Sequence, residues 1–391
     1  SVSKMNVRNV TIDKTAHIEK MLPDCLAVCL SGMPGTGRKT AVRMLLDKHP
    51  DVNAVFCSVE EIENRSALTQ RKEGVPNWYL VHKPEDGRYP ESNKGFWDFV
   101  HCMPKEDRIF VAVDGLIPES FLELIWDGVM AAVMPETFWF TEAETYRYLR
   151  ECRSELRYRE VYYLTGGWAG CIAMMVRLEQ QLTDRWTAWE LSSRYEIRRY
   201  IQNYILNVLP GDELRMLRER AAFPSLNAEL VSLLWKDPDK ELEERLFVRG
   251  ALIYVPESDT CHVQPALRTA MDEFTSAELC EKAIAWYEKE GQIQNALTCC
   301  WYLHDRKRYT ECLIRNYDKI PFLNYERGGG TGRDRSIPEL LYLEWMERFL
   351  HQDETGMDEI RSQIRQLTEE AVAAVADCFK TAEICLNIAY A

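Results

Sequence analysis

The 391-residue chain has no apolar run long enough to cross a membrane; its longest, such as LAVCL at 26–30 and IFVAV at 109–113, are strand-sized. Residues 1–24 are polar and mixed in charge, so no secretory leader is expected there. Thirteen cysteines include no C-x-x-C, so the common zinc and dithiol patterns are absent; they are scattered singly apart from one vicinal pair, Cys299–Cys300. Cys25, Cys29, Cys57 and Cys171 lie inside apolar segments, the usage expected of reduced, buried thiols in a cytoplasmic protein. Positive charge is also scarce. Against 62 acidic residues stand 48 Lys and Arg, a net charge of −14, and so acidic a surface repels a nucleic-acid backbone. Any DNA-reading part is therefore expected outside this chain. What is present, 46% hydrophobic and 28% charged residues, describes an ordinary globular protein of about two to four domains.

The most informative segment is CLAVCLSGMPGTGRKTAV at 25–42, an apolar strand leading through a glycine-rich loop into a helix. Glycines at 32, 35 and 37 let main-chain N–H groups turn inward around an anion, and the following helix start favours negative charge. Against the pattern G-x-x-x-x-G-K-[ST], Gly32 and Gly37 are correctly spaced, but Arg38 holds the lysine position and Lys39 the hydroxyl position. Thr40 comes one residue late. In the shifted register Lys39 and Thr40 fit, while Met33 and Arg38 replace the two glycines. Arginine can still hold phosphate oxygens, through a planar fork. DRIFVAVDG at 107–115 reads as a strand ending in Asp114, the position from which a carboxylate meets magnesium in phosphate-loop enzymes, or caps a turn. Gly115 follows where hydrolysis wants a second acid, so at most a slow regulatory ATPase is expected.

Strands and helices alternate from 25 to 140: strands at 25–31, 53–58 and 108–114, helices at 38–48, 95–102 and 119–130, with a polar, loop-rich stretch at 60–94 that holds one short strand at WYLVH. That alternation predicts a parallel sheet with crossover helices. Beyond 140 the pattern is almost wholly helical, opening with Thr141 and Glu144 as a capping box. Two helices and the alternating hairpin ALIYVPESDTCHVQ give the element order of a winged helix, and from 275 paired amphipathic helices set Ala283, Trp286 and Tyr287 against Ala296 and Leu297, as stacked repeats do. RGGGTGRDRS at 327–336 reads as a flexible interruption, and NIAYA ends the chain in mid-pattern, which suggests a fragment. The expected architecture is an α/β P-loop NTPase-type parallel-sheet domain (1–140), an all-α helical domain (141–208), a winged helix (209–274) and a truncated TPR-like helical-repeat solenoid (275–391).

Taken in order, SGMPGTGRKT, VAVDG, FTEAET, TGGWAGCIAM, LPGDELRMLRERAAF, CHVQPALRTAM and AIAWYEKEGQIQNAL resemble the signal-transduction ATPases with numerous domains, specifically the large ATP-binding LuxR-type activators related to the maltose-regulon activator. The resemblance covers about residues 25–320. It implies a nucleotide-binding domain, a helical domain and a winged helix that close around ADP or ATP, repeats that sense a small-molecule or protein inducer, and a C-terminal helix-turn-helix absent from this chain. It also implies self-association on activation and no membrane partner. Carried over by position, Gly32, Gly35, Gly37, Arg38, Lys39 and Thr40 would meet the nucleotide phosphates, with Thr40 and Asp114 near magnesium. Gly167 and Trp168 would border the nucleotide. Gln264 stands before Pro265 where the family often has a phosphate-sensing histidine, and His262 lies two residues upstream. The chain departs from the family between Asp114 and FTEAET: residues 115–140 hold no Lys or Arg to act as a sensor and are too short for the usual helix–strand–helix.

Two functional readings follow. One is the nucleotide-binding and sensor portion of a LuxR-type transcription regulator, an ADP/ATP-dependent switch with hydrolysis weak or lost. The other is a protein-binding helical-repeat scaffold whose phosphate loop is vestigial.

Overall fold

The computed structural model describes residues 10–84, 89–182, 186–271, 276–303, 306–316, 341, 345 and 354–369. The chain forms two compact units. The first comprises Ser1–Leu217, Asp239–Tyr254 and Val263–Ala270; the second, Arg218–Pro238, Val255–His262 and Met271–Ala391.

In the first unit a short helix, α1 (Ala16–Met21), precedes strand β1 (Ala27–Ser31) and helix α2 (Arg38–Lys48). Then come β2 (Asn53–Cys57), α3 (Val59–Glu63), β3 (Asn77–Val81), α4 (Lys94–Cys102), β4 (Arg108–Val113), α5 (Glu119–Trp126) and β5 (Met130–Val133). The strands make one sheet in the order β2-β3-β4-β1-β5, every pair parallel. Alternation along each strand divides the core into two layers. Ala27, Cys29, Tyr79, Val81, Ile109 and Val111 face α3, α4 and α5, packing on Ile62, Phe96, Phe99 and Phe121. Val28, Leu30, Trp78, Leu80 and Phe110 face the other way, onto Ile18, Ala41 and Leu45 of α1 and α2. A parallel sheet sealed on both faces needs strands that are apolar throughout, and β1 and β3 are buried at every residue.

The short strand expected at WYLVH is present and central, β3 lying between β2 and β4. Just before α1, Asp13 accepts the Thr15 N–H at 2.9 Å. Contrary to the sequence expectation, 115–140 is long enough for helix and strand: α5 stops at Trp126, Gly128 turns the chain at φ 74°, and Met130–Val133 pair with β1. A helix through 130 was the natural reading of the apolar run FLELIW-DGVMAAV, because a strand of four residues leaves too short an alternation to detect. β1 thus lies between β4 and β5, with its loop at the carboxyl edge of the sheet. The domain is a five-stranded parallel sheet with helices on both faces, as the alternation of strands and helices predicts.

Helices α6 (Glu142–Glu151), α7 (Tyr158–Thr165), α8 (Ala169–Gln181), α9 (Ala188–Ser192) and α10 (Tyr195–Tyr200) follow. The Thr141 side chain caps α6, and Glu144 closes the reciprocal bond. Next come α11 (Gly211–Arg220), α12 (Ala228–Leu234), α13 (Lys240–Val248), a two-stranded sheet of β6 (Leu252–Val255) and β7 (Thr260–Val263), and α14 (Pro265–Arg268).

The second unit contains α12 and the helices α15 (Ala277–Lys289), α16 (Ile293–Tyr302), α17 (Arg306–Arg315) and α18 (Glu354–Ile364). Ala283, Tyr287, Ala296 and Leu297 are buried, as their spacing predicts. Trp286 Nε1 donates to Glu229 at 3.3 Å, and Glu288 accepts from Arg315 at 2.8 Å and Asn316 at 2.9 Å. The RGGGTGRDRS stretch and the NIAYA end lie outside the described residues.

Candidate functional site

The loop between β1 and α2 is positioned from two sides within the first unit. From the sheet, the N–H of Gly32 donates to the Val113 carbonyl at 3.2 Å. From the helical side, the Gly170 N–H donates to the Gly35 carbonyl at 2.7 Å, and the Trp168 indole to that of Pro34 at 3.3 Å. Thr36 pins the curl internally, its hydroxyl bonding the Met33 carbonyl at 3.0 Å. Gly35 and Gly37 sit at φ 81° and 109°, conformations that glycine reaches without penalty. Among the described residues, no protein acceptor meets the main-chain N–H groups from Gly35 to Thr40. Six adjacent donors at the start of an 11-residue helix are free to receive an anion.

These donors open into a cleft of about 1240 Å³. Its charged lining is one-sided: Lys14, Arg38, Lys39, Arg43, Lys83 and Arg177 face a single carboxylate, Asp114. In a chain of net charge −14 this is a local reversal, and a cleft of one sign concentrates oppositely charged ligands. Lys39, Arg43 and Arg177 have no carboxylate partner among the described residues. Lys14 pairs with Glu144 at 2.5 Å. The lining also has an apolar wall, with Val10, Ile12, Phe138, Phe140, Tyr148 and Ala173.

Arg38 turns away from the loop mouth. Its guanidinium runs beneath the loop to the sheet edge, where Nη1 donates to the Val113 carbonyl and Nη2 meets Asp114 Oδ1 at 2.6 Å. Lys83, two residues after β3, binds the other oxygen, Oδ2. Burial pushes the Asp114 carboxyl upward, but the hydrogen bonds from Lys83 and then Arg38 outweigh it and hold the group below its ordinary value. Both oxygens of the expected magnesium ligand are therefore committed to internal cations. Magnesium demands several oxygen donors in near-octahedral array, and this donor set does not fit it. Among the described residues no three acidic, imidazole or thiol side chains converge as a metal site.

Gly32, Gly35, Gly37, Arg38, Lys39, Thr40 and Asp114 are thus brought together at the carboxyl edge of β1 and β4. Gly167, Trp168 and Gln264 stand behind that site rather than in its lining. Gly167 packs against Phe140, its carbonyl accepting that residue's N–H at 2.8 Å. Trp168 is fully buried beneath Pro34. Gln264, also buried, is satisfied locally: Nε2 donates to the Thr165 carbonyl at 2.8 Å and Oε1 accepts from the Ala266 N–H at 2.6 Å. His262 belongs to the second unit. Lys14, Arg43, Lys83, Arg177 and the apolar wall were not anticipated. Lys83 could have been, because residues that follow a parallel strand emerge at the edge where such sheets bind ligands.

No protein-family model and no curated protein matches the chain. Solved structures similar to it include a Walker-type ATPase of Pyrococcus abyssi, at 11% identity and TM-score 0.44, covering 66% of this chain and 94% of that one. Another is a Signal Transduction ATPase with Numerous Domains with a tetratricopeptide repeat sensor, from Pyrococcus horikoshii, at 13% identity and TM-score 0.31, covering 98% of this chain and 64% of that one. A Thermotoga maritima RuvB mutant is similar at 12% identity and TM-score 0.36, over 64% and 90% respectively.

Proposed function

We propose that the first unit binds an adenine nucleotide, ADP or ATP, with its phosphates on the Gly35–Thr40 amides and its base against the apolar wall. The observation that carries this reading is the run of unengaged N–H groups opening into a cationic cleft on an acidic chain. The choice of adenine comes from the resemblance of the sequence motifs. On the same resemblance, we read the chain as the nucleotide-binding and sensor part of a LuxR-type transcription regulator. In that reading α11–α13 with β6 and β7 act as a winged-helix lid and the helices from α15 onward sense an inducer. A DNA-reading domain would lie beyond this chain, and activation would bring self-association. Turnover would be slow or lost, because Asp114 is held by two cations and Gly115 follows it.

The test is acid extraction of the purified protein followed by an adenine-nucleotide assay, then melting curves with ADP and ATP. Stoichiometric nucleotide, or a melting temperature that rises with nucleotide and no longer does so in Lys39→Ala, supports the reading. A nucleotide-free protein whose melting is unmoved by millimolar ATP overturns it and leaves the helical scaffold as the alternative.

A further inference from the structure

We infer that this site takes its nucleotide without a divalent cation, the Arg38 guanidinium and the Lys83 ammonium occupying the Asp114 carboxylate where a metal ion would otherwise bridge to phosphate. The inference rests on the nucleotide reading and deepens it. A bare carboxylate beside a polyphosphate would repel it, and a divalent ion between the two removes the repulsion. Here the protein has already removed it. Oδ1 of Asp114 accepts from Arg38 at 2.6 Å and Oδ2 from Lys83, so the carboxylate presents no free oxygen pair to a metal and little net charge to a ligand. Arg38 is fixed in this role by three acceptors, since it also bonds the Val113 and Leu30 carbonyls. Phosphate charge is balanced instead by protein cations that have no carboxylate partner among the described residues. Lys39 lies at the start of α2, Arg43 one turn later on the same helix, and Arg177 on α8, all lining the one cleft. Thr40, the hydroxyl that would join Asp114 around magnesium, is displaced by one residue from its place in the loop pattern. Three independent features therefore agree: a neutralised acid, a shifted hydroxyl and a surplus of unpaired cations.

The experiment is calorimetric titration of the full chain with ADP and with ATP, in magnesium and in excess EDTA, repeated for Lys83→Met. Lys83 is partly exposed, and circular dichroism checks that the variant is folded. For the unaltered chain the dissociation constants with and without magnesium should agree within about threefold, and in Lys83→Met EDTA should weaken binding about tenfold, because one oxygen of Asp114 is then free. A loss of about tenfold or more in EDTA for the unaltered chain overturns the inference and leaves the nucleotide reading standing. Magnesium independence that persists in Lys83→Met overturns the role given to Lys83. Binding in neither buffer overturns the nucleotide reading itself, and the inference with it.

Discussion

Arg249 donates from Nη1 to the main-chain carbonyl of Asp114 at 2.9 Å, tying the carboxyl end of β4 to the segment after α13. The same guanidinium sets Nε 2.5 Å from Glu213 Oε2 on α11, a carboxylate almost without exposure. The neighbouring Gly115 is what allows this approach, because a Cβ there would lie 2.5 Å from Arg249 Nη1. Residues 115–140 offer no Lys or Arg to the sheet edge, and the cation reaching Asp114 from outside the sheet domain comes instead from 135 residues further along the chain.

Removing Arg249 should therefore be costly. Arg249→Ala leaves Glu213 buried with, among the described residues, only Arg245, 3.8 Å away, to offset its charge. Breaking one side of a buried ion pair typically costs about 3–5 kcal/mol, and Arg245 should bring the loss toward about 2–4 kcal/mol. Urea denaturation measures it. The double variant Arg249→Ala with Glu213→Gln should recover part of the loss, since no charge is then stranded. If the double variant loses, relative to the unaltered chain, the sum of what Arg249→Ala and Glu213→Gln lose singly, the pair is not coupled and the account is wrong.

The contact between Gly170 and the loop makes a second prediction. A Cβ at Gly170 would fall 2.3 Å from the Tyr200 hydroxyl and 2.8 Å from the Gly35 carbonyl, so Gly170→Ala must push the loop or the tyrosine aside. Nucleotide affinity should fall by about tenfold, while Gly211→Ala, with open space around it, should leave affinity unchanged. Equal affinities for the two variants would mean that the brace from α8 does not set the loop. Gly167→Ala should be worse for stability: at φ 81° its Cβ would meet the Phe140 carbonyl oxygen at 2.0 Å.

The parts of this molecule that sequence reveals are those governed by short-range chemistry. The glycine spacing at 32–37, the capping box at Thr141 and Glu144, and the apolar continuity of β1 and β4 depend on near neighbours in the chain, and each is readable there. β5 was hidden because four residues carry too little pattern. The role of Arg38 was hidden for a different reason. Its type and position suit a phosphate clamp, and only the placement of Asp114, 76 residues away, turns it inward. Lys83 and Arg249 act through a partner 31 and 135 residues away, and of the two only Lys83 carries a local mark, its place just beyond a parallel strand.

Acid should weaken the hold on the lead-in. Asp13 accepts from Lys48, then from the N–H and hydroxyl of Thr15, and these bonds hold its carboxyl at about 2 against an ordinary 3.8. A carboxylate depressed on folding adds stability that is fully present above the unfolded value and lost as pH falls through the folded one. The window is therefore from 3.8 down to about 2. Comparing urea midpoints of the unaltered chain and Asp13→Asn across that window, the difference should shrink as pH falls. A constant difference would show that Asp13 does not contribute through its charge. The exposure of the pair keeps the effect small.

Thiol reactivity offers a check on the burial of the core. Cys29 and Cys57 lie inside the sheet layers, and burial raises their thiols to about 12; Cys280 in the second unit is likewise raised to about 12, and the wholly buried Cys171 is raised as well. Since the thiolate is the reactive form, these groups should resist alkylation in the folded protein. Cys102, at the end of α4, is exposed, the one such thiol among the described cysteines. Brief iodoacetamide treatment followed by peptide mass spectrometry should therefore modify Cys102 well before Cys29, Cys57 or Cys171, and denaturant should erase the difference. Equal labelling of Cys29 and Cys102 under native conditions would mean that β1 is not enclosed between two helical layers, and the loop it carries would then lack the rigid support that the anion site requires.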